Sequence, residues 1–274
     1  MKTETITSAQ NQKIRTLLTL YEKSRARREA GLFVVEGRRE LEHSLDAGFV
    51  PRTLFVCREI ISDTDLERIV RKADRLQDRE GLQIIEIPAA LYEKTAYRGG
   101  TEGIIAEMEY RERHLDDLKT GENPLIAVLE SVEKPGNLGA VLRSADAAGA
   151  DAVIICDPLT DLYNPNLIRA SIGAVFTTNV VTATSEEAVQ WLRRNGIRIL
   201  TAQLQDSQWY YDTDMRAGTA IVMGTESTGL TSVWREAADA HIRIPMLGRL
   251  DSLNVSVSAA ILLYEAVRQR HSTV

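Results

Sequence analysis

No apolar run in this 274-residue chain approaches the roughly 20 residues that a membrane-spanning helix needs, so an integral membrane protein is excluded. Cysteine is scarce. Cys57 and Cys156 are the only two, each at the end of an apolar run, and they read as buried thiols rather than a disulfide or part of a zinc cluster. The four histidines, His43, His114, His241 and His271, have no metal-ligand spacing and read as surface or structural residues, so no metal is expected. The polar start, Met1-Lys2-Thr3-Glu4-Thr5, lacks the apolar region of a signal peptide, and a cytoplasmic protein is expected. A Walker lysine motif is missing, and so is Gly-x-Ser-x-Gly: the nearest stretch, 224–229, does not match. The glycine turn at 134–139 has two glycines where a dinucleotide-binding turn has three, which argues against a Rossmann cofactor.

Excess positive charge is missing too. Net charge is −6, which taken as an average argues against nucleic acid. The average hides an asymmetry. Between Lys13 and Arg39 stand eight basic residues (Lys13, Arg15, Lys23, Arg25, Arg27, Arg28, Arg38 and Arg39) against Glu22, Glu29 and Glu36, a local +5. A phosphate backbone meets local charge, so this segment is either a nucleic-acid handle or a solvated helix face.

Hydrophobic residues make up 44% and charged residues 26%, enough for a substantial core, and roughly 150 residues per domain gives about two domains. Ser8 is placed to cap a helix whose apolar positions Ile14, Leu17, Leu18 and Tyr21 follow helical spacing, with Gly31 as its stop. Strands are expected at 32–36, 53–57, 82–87 and 104–108, with helices at 38–47 and 63–76. That alternation describes a small α/β domain over 1–110. The charged stretch 111–123, with Gly121 and Asn123-Pro124, reads as a linker. Residues 124–274 change texture. Continuous apolar runs at 125–129 and 152–156 are those of parallel strands covered on both faces, with an alanine-rich helix at 139–150 between them. Further strands are expected at 174–181, 197–201, 220–223 and 241–244, and helices at 186–194, 232–238 and 255–270. This half reads as a doubly wound α/β domain.

Three segments of that half carry chemistry. In 135–145, Gly136, Asn137 and Gly139 open a helix whose N-terminus favours an anion, and Arg143 lies one turn beyond Gly139, where a guanidinium can fork onto phosphate or carboxylate. A tight strand-to-helix turn with an incidental arginine is the plain alternative. In 221–230, a buried strand runs through Met223 into Gly224-Thr225-Glu226-Ser227-Thr228-Gly229, exposing backbone groups at the sheet's C-terminal edge. Glu226 is there either a polar handle or a helix-start carboxylate. The third segment joins Ile244-Pro245-Met246 to Ser252-Leu253-Asn254-Val255-Ser256-Val257, whose small residues allow close backbone approach or simply cap a packed terminal helix.

In this order, Asn137–Ala145 by position 137–145, then 224–230, then 244–257, the segments resemble the SpoU/TrmH branch of the SPOUT methyltransferases. The resemblance covers roughly 124–270. The stretch Phe33-Val34-Val35-Glu36-Gly37 is similar to the substrate-binding domain often joined to that family, whose fold is like a small ribosomal protein. One departure stands out, since the family commonly carries glycine where this chain has Ser227.

The resemblance implies a C-terminal α/β domain with a parallel sheet and a deep trefoil knot, preceded by a small RNA-binding α/β domain. It implies S-adenosylmethionine as cofactor, contacted by Gly224, Ile244 and Leu253 with Met223 and Met246 beside them. It implies a homodimer packed through the knotted domain. The implied reaction is methyl transfer to a ribose 2′-hydroxyl, with Arg143 central and Asn137, Glu226 and Asn254 in support. Lys13, Arg25, Arg27, Arg28 and Arg38 become the expected RNA contacts. Ribosomal RNA of the 23S type is the preferred substrate over transfer RNA. A non-catalytic RNA-binding or ribosome-assembly factor with the same fold is the alternative from another class, and a base methyltransferase a further one.

Overall fold

A computed structural model of the chain describes residues 2–76, 81–97, 102–225, 227–249 and 251–271. In chain order the elements begin β1 (Lys2–Thr5), α1 (Gln12–Glu22), α2 (Ser24–Ala30), β2 (Leu32–Glu36), α3 (Arg38–Asp46) and β3 (Pro51–Val56). Next come α4 (Asp63–Asp74), β4 (Gln83–Glu86), α5 (Ala89–Thr95), β5 (Ile104–Glu109), β6 (Leu125–Glu130) and α6 (Pro135–Ala147). The middle holds β7 (Ala152–Cys156), α7 (Pro165–Ala170), α8 (Ala174–Thr177), β8 (Val180–Ala183), α9 (Ser185–Arg194) and β9 (Arg198–Ala202). The chain closes with β10 (Gln208–Trp209), β11 (Thr219–Met223), α10 (Ser232–Ala237), β12 (Ala240–Arg243) and α11 (Val255–His271).

Two compact units form: residues 1–111 with 161–177, and residues 112–160 with 178–274. The expected division at 110 and 124 therefore differs in two places. Residues 161–177 cluster with the first unit. Within the expected linker, Leu118 and Leu115, the latter in a short 3-10 turn over Leu115–Asp117, pack against the core of the second unit.

The first unit is a mixed five-stranded sheet in the order β1-β4-β3-β5-β2, parallel through β3 and antiparallel beyond it. Its apolar core includes Ile14, Leu17, Val34, Phe55, Ile85 and Ile105. Asn11, not Ser8, caps α1: its Oδ1 accepts the Lys13 N–H at 2.9 Å, whereas Ser8 Oγ accepts Gln10 N–H outside the helix. An asparagine one residue before the helix meets the free amides of the first turn directly, and Ser8 lies too far upstream. Gly31 ends α2 at φ 62°, the left-handed turn that glycine takes without steric cost.

Residues 174–181 are not one strand. Ala174–Thr177 is a helical turn, and the strand begins at Val180. Ile172 and Gly173, at φ 53° and 82°, turn the chain just ahead of this run and set the following residues helical. Phe176 then packs against Phe33 and Phe49, at centroid distances of 5.9 and 5.1 Å, with Tyr163 stacked on Phe33 at 4.0 Å.

The second unit is a fully parallel seven-stranded sheet, β10-β12-β9-β11-β6-β7-β8. Every residue of β6, β7 and β11 is buried, including Glu130 at the end of β6, as expected of strands covered on both faces. Both cysteines are free and buried, and burial together with the carboxylates of Asp157 and Glu130 pushes the Cys156 thiol far up. Helix α6 starts at Pro135, four residues earlier than the apolar pattern suggests, because proline suits the first helical position.

Candidate functional site

The C-terminal ends of the neighbouring strands β12, β9 and β11 open onto one cavity of about 400 Å3, within the usual range for a small-molecule site. Ligands of open α/β sheets bind at this edge. Met223 and Gly224 enter from β11, Ile244 and Met246 from the segment after β12, and Leu253 from the approach to α11. All five expected cofactor residues are thus brought together. The loop after β9, with Gln203, Leu204 and Gln205, completes the wall and carries no motif. Only its position after a parallel strand could have pointed to it.

Gly224 is irreplaceable on geometry. A Cβ there would sit 2.3 Å from the Gly229 carbonyl oxygen and 2.8 Å from the Leu230 nitrogen, far inside contact distance. The loop folds tightly enough for this because the Gly229 N–H reaches the Thr225 carbonyl at 3.1 Å, and Thr225 Oγ1 accepts the Thr228 N–H at 3.1 Å. Gly229, at φ 68°, makes the turn. Glu226 lies outside the described residues.

The expected catalytic residues stand beside one another in part. Asn254 Nδ2 donates to Asn137 Oδ1 at 3.1 Å, linking the first turn of α6 to the entrance of α11. Asn254 Oδ1 in turn accepts the Ser256 N–H at 3.0 Å, capping α11. Arg143 lies on the same helix as Asn137, is exposed, and makes no ion pair among the described residues. A guanidinium in that state remains available to a phosphate. The expected anion cradle at the start of α6 is smaller than the glycines suggest. Pro135 has no N–H, and those of Asn137 and Leu138 bond the Lys134 carbonyl.

The basic segment in the first unit divides. Arg28 is exposed, and Arg25 is exposed in an i,i+4 pair with Glu29. Lys13 pairs with Glu4, and Arg38 pairs with Asp65. Arg27 is corrected: its side chain is only 2% exposed, pairs with Asp161 at 2.6 Å and donates to the carbonyls of Leu20 and Tyr21. A buried guanidinium with its donors satisfied cannot neutralise a phosphate; it is a structural residue. No group of three or more His, Cys, Asp or Glu among the described residues is arranged to hold a metal ion, and no helix among them is long and apolar enough to cross a membrane.

A family model described as the SpoU rRNA Methylase family matches residues 124–264. The chain belongs to that family. Residues 11–106 match a second model, the MRM3-like substrate binding domain. Among curated relatives, the 23S rRNA (uridine(2479)-2′-O)-methyltransferase of Streptomyces viridochromogenes is 32% identical over 253 residues, 90% of this chain and 86% of the relative. The 23S rRNA (guanosine(2553)-2′-O)-methyltransferase of Bacillus subtilis is 28% identical over 259 residues, 94% of this chain and 97% of the relative. Among solved structures, an AdoMet-bound rRNA methyltransferase from Sinorhizobium meliloti superposes with a TM-score of 0.88 at 29% identity, covering 99% of each chain. The SpoU resemblance of the three motifs is thereby borne out, and so is the α/β architecture.

Proposed function

We propose that this SpoU-family chain transfers a methyl group from S-adenosylmethionine to a ribose 2′-hydroxyl of 23S-type ribosomal RNA. The observation that carries the reading is the gathering of Met223, Gly224, Ile244, Met246 and Leu253, from two separate motifs, around one cavity. Its walls suit the group: apolar side chains for an adenosine, and a glycine loop whose backbone is exposed for hydrogen bonding. When bound, S-adenosylmethionine supplies an electrophilic methyl on a sulfonium.

The chain's own residues must then present the acceptor. A ribose hydroxyl is a weak nucleophile and has to be held in line with the methyl. Arg143, through its forked guanidinium, clamps the neighbouring phosphate and stabilises negative charge developing on the oxygen. Asn137 and Asn254, hydrogen-bonded to one another at the start of α6, are its supporting residues. Glu226 is kept as a supporting residue on the strength of its motif position.

Ribosomal RNA is preferred to transfer RNA because relatives matched along nearly their whole length carry 23S rRNA names. Residues 1–110 serve as the RNA-binding part, with Arg25 and Arg28 as contacts and 124–274 as the catalytic part. We take the segment leading into α11 to form the family's trefoil knot and the chain to act in the cytoplasm. Its homodimer would form through α11, where Val257 and Tyr264, spaced two turns apart, leave an apolar stripe about half exposed.

The test is transfer of radiolabelled methyl groups to unmodified ribosomal and transfer RNA transcripts, with Arg143→Ala alongside. Label in ribosomal RNA, lost in the variant and recovered as a 2′-O-methyl nucleoside, is the expected result. Label in a base overturns the ribose assignment. Cofactor binding absent altogether favours the RNA-binding factor.

A further inference from the structure

Glu130 ends β6 with its side chain buried and no lysine, arginine or histidine bonded to its carboxylate among the described residues. Isolated carboxylates are costly to bury, so the groups that hold this one are informative. Thr231 supplies two of them: its N–H donates to Oε2 at 2.9 Å and its hydroxyl to Oε1 at 2.6 Å. Ser185 Oγ stands 3.2 Å from Oε1, but its single hydrogen goes to Asp157 Oδ2 at 2.6 Å, while it accepts the Trp234 Nε1–H at 2.9 Å. Thr231 is therefore the main partner of Glu130.

Thr231 occupies the cap position of α10, where a threonine hydroxyl ordinarily accepts an amide of its own helix. Here it makes no such bond and turns to Glu130 instead. The residues just before it, Gly229 and Leu230, line the cavity and press against Gly224. On the other side, Glu130 leads through Ser131, at φ 52°, into the helix that carries Asn137 and Arg143. One carboxylate thus sits at the root of both halves of the site.

We propose that Glu130 is a positioning residue that pins the 224–231 loop, through Thr231, in its cofactor-receiving shape. The proposal rests on reading the cavity as the S-adenosylmethionine site. A loop already folded before the cofactor arrives spares the binding step the cost of ordering it. Removing the carboxylate leaves two donors of Thr231 without their acceptor and lets the loop relax away from Gly224.

Calorimetric titration of the full chain with S-adenosylmethionine tests this, with circular dichroism confirming folded protein at the assay temperature. Glu130→Ala is expected to weaken cofactor binding about tenfold or more, and Thr231→Ala, which keeps its N–H, about threefold. The double variant should match Glu130→Ala, because both changes break the same link. Glu130→Gln, which still accepts the Thr231 N–H, should bind nearly as wild type. With saturating cofactor, kcat should recover and RNA affinity should not move, a split that general loss of structure would not produce. Should Glu130→Ala fail to fold, Thr231→Ala and Glu130→Gln carry the test. Folded Glu130→Ala or Thr231→Ala binding like wild type, or Glu130→Gln binding as weakly as Glu130→Ala, overturns the proposal. A wild-type chain that binds no S-adenosylmethionine overturns the cofactor reading itself, and this proposal with it.

Discussion

Asn254 and Asn137, 117 positions apart in the chain, share a hydrogen bond of 3.1 Å between their side-chain amides. Asn254 also caps α11 through its Oδ1. Serine caps a helix about as well as asparagine but is too short to reach Asn137. Asn254→Ser should therefore hold thermal stability within about 0.5 kcal/mol while methyl transfer falls about tenfold or more. Thermal melts and transfer assays on the same preparation separate the two roles. Equal retention of both would remove Asn254 from the reacting edge.

Arg143 provides the second prediction. Lysine keeps the charge and loses the planar fork that grips a phosphate with two parallel bonds. Arg143→Lys should lower kcat/KM for RNA by about 100-fold or more, on the scale of losing one donor to a developing oxyanion. Cofactor affinity should stay within about twofold, since Arg143 does not line the cavity. Matching losses in both quantities would sink the phosphate-clamp role.

Neighbouring arginines in α2 should behave oppositely. Neutralising exposed Arg25 and Arg28 should weaken RNA binding and flatten its dependence on salt, with the melting temperature little changed. Arg27→Met should destabilise the fold by about 3–5 kcal/mol, because Asp161 would be left buried and unpaired. Binding isotherms at several salt concentrations, together with denaturant unfolding, check both halves.

Glu107, on β5, carries a pH prediction. Burial raises its pKa from 4.5 to about 7, against the opposing effects of the Thr53 hydrogen bond and the Lys13 charge. A carboxyl that holds its proton more tightly when folded favours the fold at low pH. Its contribution is full below about pH 4.5, declines as pH rises through the window to about 7, and is level above it. The total swing is on the order of 3 kcal/mol. Glu107→Gln should accordingly stabilise the chain more at pH 8 than at pH 5. Urea unfolding at the two values measures it; an equal effect at both would place the titration elsewhere.

Much of the site was legible before the fold. Met223 and Gly224 end a buried run, and parallel strands deliver such positions to one edge of a sheet, whereas Ile244, Met246 and Leu253, beyond the half-buried β12, were legible only through the motif resemblance. The strand at 152–156 was readable residue for residue for the same reason: burial on both faces leaves an unbroken apolar signature. What periodicity could not supply was partnership across long separations. Arg27 looks like its exposed neighbours until Asp161 arrives from 134 positions away. The apolar run at 174–181 suits a strand or a helix equally, and the turn at Ile172 and Gly173 decides between them. Thr231 carries no motif letter of its own, and only the Glu130 carboxylate gives its hydroxyl a purpose.

The inclusion of 161–177 in the first unit has a consequence for how the protein is made. A ribosome that has just finished residue 111 has delivered all five strands of the first sheet but neither Asp161 nor the rings of Tyr163 and Phe176. Until they emerge, Arg27 lacks the counter-ion it has in the finished fold, and Phe33 and Phe49 have each other's rings but not those of Tyr163 and Phe176. At about 5–20 residues per second, the 50 residues from 111 to 161 take roughly 3–10 s. Vectorial synthesis therefore holds the nascent N-terminal unit incomplete through that interval, and β6, α6 and β7 are all polymerised before it can close.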